Sequence, residues 1–364
     1  MTSTDIYENA IELAEAGEPF VLASVIVAQG STPQKAGANA VFEPAGAMAG
    51  TLGGGCLEAE CRRRALGALD AGTAEVFDLK LDDVKGWDDG LICGGSVRVL
   101  VNPSTSGNSA ENTAVYREAL AAKERQERGV LATVVGHPEL PMGAAVWTPE
   151  AALGDEALLA GDEAGVRERM LAEQPGQWLD TDGNGAELYL EPVLGPPQLV
   201  VAGGGHIGQA VCHLGSRLGF EVTVIDDRPT FASAERHAEA KQTICGDIAG
   251  ELAGLEIGPQ TFVLIVTRGH RHDGSVLAAC VKSGAAYIGM IGSRRKSALI
   301  RRTLLDEGHA TRAEIERVVS PIGVDIGAQS VEEIAVSIVA ELVAVRRRGG
   351  ITADAKNFVP GGKQ

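Results

Sequence analysis

Gln198-Leu199-Val200-Val201-Ala202-Gly203-Gly204-Gly205-His206-Ile207-Gly208 is the stretch that decides the fold. An apolar run ends in a glycine cluster, and a helical pattern begins directly after it. Gly203, Gly205 and Gly208 spell G-x-G-x-x-G, and Asp226 closes the next apolar run. Strand, glycine turn, helix from about His206 to Leu218, second strand and terminal acid make a βαβ unit in the order a dinucleotide fingerprint requires. The glycines permit a tight turn and close approach to a phosphate. The helix start, opened by His206, supplies amide donors and the positive dipole end. Asp226 is the candidate partner of a ribose hydroxyl. The alternative is a sheet that keeps the turn for packing, since a fold does not by itself imply a ligand.

Short apolar runs at 262–266 and 286–291 alternate with helical patterns at 274–283, 294–306 and 331–345. That alternation predicts a Rossmann-like, doubly wound parallel sheet over 196–345, with both faces covered. Residues 346–364 look like a polar C-terminal tail. Gly195-Pro196-Pro197 is the clearest linker, so 1–195 is expected to form an N-terminal α/β domain with a mixed sheet. Within it, a short amphipathic helix opens the chain. Strands are expected at 20–28, 40–42, 75–79 and 97–102, with a helix at 56–70 closed by Gly72. After a polar segment at 103–113, a helix at 115–126 and strands at 130–135, 144–147 and 188–191 should pack with this first part.

Composition limits the function. With 364 residues, 45% hydrophobic and 22% charged, the chain is an ordinary globular one of two or three domains. Its 32 basic and 49 acidic residues leave a net charge of −17, which repels nucleic acid and anionic membranes. No apolar run reaches the roughly 20 residues of a membrane span, and the start lacks the pattern of a secretory signal. A cytoplasmic location is expected, with the six cysteines as free thiols.

Two cysteines adjoin glycines. In Gly53-Gly54-Gly55-Cys56-Leu57-Glu58 three glycines precede a helix and can form an anion-binding nest. Cys56 falls at the helix start, where the dipole favours a thiolate. Glu58 either caps free amides of the first turn or orients a ligand. Cys93-Gly94-Gly95, ahead of a strand, has the same design. Together Cys56 and Cys93 suggest soft-ligand or sulfur chemistry; the alternative for each is a small thiol in a tight turn. Cys61 shares an apolar helix face with Leu57, Ala65 and Ala68 and is expected in the core. Cys212, Cys245 and Cys280 are expected to be packing residues. Thr267-Arg268-Gly269-His270-Arg271-His272-Asp273 follows a strand and suits an anion or an interface better than a metal. Ile288-Gly289-Met290-Ile291-Gly292-Ser293-Arg294-Arg295-Lys296 sets a basic cluster at a helix start, where cations need an anion nearby.

These motifs in this order resemble the XdhC/CoxI family of molybdenum-cofactor accessory proteins. The resemblance rests on Gly30-Ser31-Thr32-Pro33, the Gly53–Glu58 and Cys93–Gly95 motifs, the Gly203–Gly208 turn, Ile288–Arg294, and Pro321-Ile322-Gly323-Val324-Asp325-Ile326-Gly327-Ala328. It weakens over 104–195, and Gln34-Lys35 stands where the family usually has an arginine-containing loop. It implies a chaperone that binds the molybdenum cofactor, protects or sulfurates it, and delivers it to a xanthine-dehydrogenase-type hydroxylase. Implied partners are that client, a cysteine desulfurase or cofactor-synthesis protein, and a second copy as a homodimer. Cys56 and Cys93 would be soft ligands to molybdenum. Gly53, Gly54, Gly55, Glu58, Gly94, Gly203, Gly205, His206, Gly208 and Asp226 would line the cofactor or nucleotide sites. The competing reading is an NAD(P)-dependent oxidoreductase built on the second domain.

Overall fold

The computed structural model describes residues 3–81, 94–105, 109–136, 143–148, 152–154, 178–181 and 187–348. The chain divides into two compact units, Met1–Gly195 and Pro196–Gln364.

The second unit is built on six strands: β11 (Gln198–Ala202), β12 (Glu221–Asp226), β13 (Gln242–Cys245), β14 (Thr261–Ile265), β15 (Tyr287–Met290) and β16 (Val318–Val319). They form one parallel sheet in the order β13-β12-β11-β14-β15-β16. Alternate side chains of a strand point to opposite faces. In β11, Leu199 and Val201 meet Val211, Cys212, Ile338 and Leu342 from helices His206–Arg217 and Val331–Arg348. Val200 and Ala202 meet Leu252, Leu277 and Ile300 from helices Ile248–Ala253, His270–Cys280 and Arg294–Asp306. A strand covered on both faces has no polar phase, which is why its sequence is a continuous apolar run.

Several elements differ from the sequence expectation for local reasons. β13, β16 and the helices Ile248–Ala253 and Arg312–Glu316 are too short to show a period. Helix His270–Cys280 starts a turn ahead of 274, through residues without apolar spacing. The last helix runs to Arg348, into the expected tail. There the Arg346 guanidinium lies over the Phe220 ring and donates to the Leu218 carbonyl at 2.9 Å. Cys212 and Cys280 are buried as expected, but Cys245 is exposed, because β13 is an edge strand paired on one side.

In the first unit the expected mixed sheet resolves into two antiparallel ones. The first comprises β1 Val21–Gln29, β2 Asn39–Phe42, β3 Met48–Gly50, β4 Glu75–Lys80 and β5 Ser96–Pro103, in the order β3-β2-β1-β5-β4. The second comprises β6 Arg128–Gly136, β7 Ala144–Trp147, β8 Ala152–Gly154, β9 Trp178–Thr181 and β10 Glu187–Leu194, in the order β8-β7-β6-β10-β9. Chain neighbours β1-β2-β3 and β6-β7-β8 pair as meanders, which short connections force to be antiparallel. Helix Gly55–Ala71 packs Leu57, Cys61, Ala65 and Ala68 on Val21, Ala23 and Val25 of β1. It ends at Gly72, whose left-handed φ of 64° closes the helix with its amide on the Leu69 carbonyl. The other face of β1 packs Leu22 with Tyr7 of helix Ser3–Ala16 and Tyr116 of helix Ser109–Glu124. The latter helix begins inside the expected polar segment 103–113. Its Asn112 is buried and accepts from the Ala144 amide at 3.0 Å.

At Gly208 helix His206–Arg217 presses on the turn after β11, where a Cβ would collide with the Gly203 carbonyl oxygen. In an open helix Gly→Ala is worth about 1 kcal/mol of stabilisation. Here overpacking against backbone should reverse the sign, and Gly208→Ala is expected to destabilise the second unit by roughly 1–3 kcal/mol. Thermal unfolding checks this; a variant as stable as wild type would show that the helix does not need the contact.

Candidate functional site

In the second unit the strand order reverses direction between β11 and β14. In open parallel sheets ligands bind beyond the strand ends at that switch point. A cleft of about 240 Å³ opens there. Gly203, Gly205 and exposed His206 line it from the turn after β11, Arg228 and Phe231 from the segment after β12, and Thr267 and Arg268 from the loop after β14. The fingerprint glycines have different jobs. Gly203 and Gly208 are pressed against backbone, the first with a φ of 120° and its Cβ position 2.6 Å from the Val266 carbonyl oxygen. Among the described residues a Cβ on Gly205 meets nothing within 4 Å, so this is the glycine that leaves the helix start open.

Asp226 lines the cleft but is only 1% exposed, and its carboxylate is already saturated. Oδ1 accepts from the Arg228 amide at 3.0 Å and Nε at 2.8 Å; Oδ2 accepts from the Gly204 amide at 2.8 Å and Arg228 Nη2 at 2.9 Å. Burial works to raise its pKa, but these hydrogen bonds outweigh it and hold the carboxyl below the usual aspartate range. Every one of these donors comes from the protein, so Asp226 ties the glycine turn to Arg228. Arg228 in turn packs on the Phe231 ring, 3.6 Å from its centroid.

The other two basic loops are tied together through Asp273 and Lys296, while Arg268, Arg294 and Arg295 stay exposed. Asp273 is fully buried, accepts from Thr267 Oγ1 and pairs with Lys296 Nζ. This tie joins the starts of helices His270–Cys280 and Arg294–Asp306. Among the described residues no group of three or more His, Cys, Asp or Glu is placed to hold a metal.

In the first unit the antiparallel registers send three loops to one end of the first sheet. Gln29 pairs with Ser96, Ala40 with Gly50 and Lys80 with Ser96, so segments 30–38 and 51–55, residue 81 and residues 94–95 lie at the same end of the sheet. They touch. A Cβ on Gly53 would lie 2.5 Å from Pro33 Cβ, and one on Gly95 would lie 2.4 Å from the Ser31 carbonyl oxygen. Gly54 and Gly94, with φ of 79° and 66°, have nothing within 4 Å of a Cβ among the described residues. Gly55 opens the helix and half-buried Cys56 is its second residue. Cys93 lies outside the described residues. Thr32 Oγ1 is buried with no hydrogen-bond partner among the described residues. That orphaned hydroxyl was not singled out from the sequence; its place within Gly30–Pro33 was the available signal.

Glu58 takes the capping role of its two expected alternatives. Its Oε1 accepts from Thr51 Oγ1 at 2.8 Å, the Leu52 amide at 2.9 Å and the Gly54 amide at 3.0 Å. Partial burial raises its pKa, yet the hydrogen bonds prevail and the carboxyl is held below the usual glutamate range. Cys61, on the apolar face of the same helix, is the opposite case: burial pushes its thiol up to about 12.

A Rossmann-type second domain follows a first domain in which glycine-rich loops meet beside the start of helix Gly55–Ala71. The family model described as the XdhC Rossmann domain matches residues 199–342, and that of the XdhC and CoxI family matches residues 13–80. The chain belongs to the XdhC and CoxI family. A Bacillus subtilis (strain 168) protein, named as a probable component of xanthine dehydrogenase, is 27% identical over 346 residues, covering 92% of this chain and 96% of that one. "Molybdenum cofactor insertion chaperone PaoD" of Escherichia coli (strain K12) is 22% identical over 342 residues, covering 94% and 88%. A crystal structure described as a xanthine dehydrogenase from Bacillus halodurans superposes with a TM-score of 0.75 at 25% identity, covering 96% of this chain and 97% of that one.

Two outcomes follow from this geometry. Gly205 has an ordinary φ of −64° and free space beside it, so Gly205→Val should fold and melt like wild type while its side chain fills the space a phosphate would need. Calorimetry with ADP should then show binding reduced at least tenfold (~1.4 kcal/mol); unchanged affinity would make the turn purely structural. Glu58, with its folded pKa depressed, contributes stability that is complete above the ordinary glutamate value of about 4.3 and is lost as pH falls through the lower folded value. The melting difference between wild type and Glu58→Gln should therefore be largest near pH 7 and shrink below about pH 4. A difference constant with pH would show that charge on Glu58 does not hold the loop.

Proposed function

We propose that this chain is an accessory factor that carries a molybdenum cofactor and passes it to a xanthine-dehydrogenase-type hydroxylase. The names of the Bacillus and Escherichia coli relatives point the same way. The observation that carries the reading is the convergence of the Gly30–Gln34, Gly53–Cys56 and Gly94–Gly95 loops at one end of the first sheet. The cofactor is cargo with two chemically unlike ends, a soft sulfur-bound metal and a phosphate. The first-unit loops fit such cargo: a thiol at a helix start suits the soft end. The open Gly54 and Gly94 positions and the orphaned Thr32 hydroxyl leave room and a donor for a polar edge. Cys56 would hold the metal or a sulfur in transit, and Cys93, by its sequence position beside Gly94, is proposed as the second thiol. A separate phosphate-bearing nucleotide would occupy the switch-point cleft of the second unit, where Gly205 leaves the helix start open.

The same cleft favours the second reading, an NAD(P)-dependent oxidoreductase. The two separate on what copurifies: a pterin fluorescence after acid oxidation supports the carrier, a reduced-nicotinamide signal the oxidoreductase.

The thiols test the carrier directly. Cys56→Ala and Cys93→Ala should each lower the molybdenum retained per chain severalfold and impair activation of an apo hydroxylase. For Cys56→Ala, half-buried at a helix start, the melting temperature should change little. Cys61→Ser should do the reverse, since a hydroxyl in that apolar seam costs roughly 1–3 kcal/mol. If both alanine variants retain wild-type molybdenum and still activate the client, the thiol-ligand mechanism is wrong.

A further inference from the structure

The cleft of the second unit carries a more specific inference, which rests on the reading that it takes a nucleotide. In a dinucleotide fold the acid at the end of the second strand accepts hydrogen bonds from the ribose. A carboxylate offers about four lone-pair sites. All four on Asp226 are occupied, two by the Nε and Nη2 fork of Arg228 and two by the backbone amides of Gly204 and Arg228. Nothing remains for a sugar hydroxyl. What the arrangement does accomplish is to fix the Arg228 guanidinium. Two parallel hydrogen bonds set its plane, and the Phe231 ring supports one of its faces at 3.6 Å. Its side chain is still 28% exposed and lines the cleft together with Gly205.

We propose that Arg228 is the platform on which the base of the bound nucleotide stacks, and that Asp226 is a positioning residue that does not read the ribose. Guanidinium planes stack on nucleobases readily. Local charge favours a planar neutral ring over a second phosphate at this end. Arg228 pairs with Asp226 and lies 3.7 Å from Asp227, while Arg268 pairs with Asp227 at 3.0 Å, so two carboxylates balance two guanidiniums. The phosphates belong at the other side of the cleft, where Gly205 is open. The site therefore takes a nucleoside diphosphate by its base and its phosphates, with the sugar a spacer.

The test is calorimetry on the full chain with three probes: ADP, 2′-deoxy-ADP and inorganic tripolyphosphate. Wild type should bind ADP and 2′-deoxy-ADP within about twofold of each other. Arg228→Ala should weaken ADP about tenfold, the size of a lost stacking contact, and leave tripolyphosphate unchanged. Because that variant leaves Asp226 buried without its guanidinium, Arg228→Lys is measured beside it. It keeps the charge pair but lacks the plane, and should bind ADP as weakly as the alanine variant. If 2′-deoxy-ADP binds tenfold more weakly than ADP to wild type, Asp226 does read the ribose and the proposal fails. It fails equally if Arg228→Lys binds ADP like wild type. Wild type that binds neither ADP nor tripolyphosphate would overturn the nucleotide reading itself, and the platform with it.

Discussion

Coverage of β11 and β14 on both faces is the constraint from which the second unit's chemistry follows. With helices occupying the space above and below the sheet, the approach left to a ligand is past the strand ends. The strand order places the opening between two crossovers of opposite direction. Packing demands then shape the turn at its mouth. Gly208 lets the helix touch the turn, Gly203 lets the turn pass β14, and Gly205 is left bare where neither demand applies. One glycine motif thus answers two requirements, most of it structural and one position chemical.

That division shows what could be learned from residues alone. The parallel sheet was legible because continuous apolar runs alternate with helical spacing, and helix Arg294–Asp306 and β7 fall where their patterns put them. Short and peripheral elements were not. β13 has two exposed ends and only four residues, too few for a period to register. The antiparallel pairing of the first unit was also hidden, since a strand such as β1, covered on both faces, reads as the same apolar run in either arrangement. At the sites, residue type was legible and commitment was not. An aspartate at the end of β12 signals a ligand by position, but its hydrogen bonds to a residue two along leave no mark in the spacing. Only the placed side chains show that Arg228 has claimed it.

The first unit reaches a comparable end by another route. Loops far apart in sequence meet because antiparallel strands return them to one edge, and close contact of Gly53 with Pro33 and of Gly95 with Ser31 holds them there. Glu58 then fixes the glycine turn through a single oxygen atom that receives three donors. Such a scaffold is rigid where it is glycine-tight and accessible where it is glycine-open.

The exposed thiol at the end of the edge strand β13 has a practical consequence for anyone handling the protein. Burial pushes the thiols of Cys61 and Cys280 up to about 12 and that of Cys212 up to about 11, so all three are inert to ordinary maleimide labelling. Cys245 is not shielded in this way. It offers a site for a fluorophore on the second unit, provided half-buried Cys56 and the first-unit Cys93 are replaced. The same sulfur can join two chains in air through a disulfide, giving a particle that sediments like a native dimer. Oligomer size measured with reductant present, and again after Cys245→Ser, separates that artefact from true association.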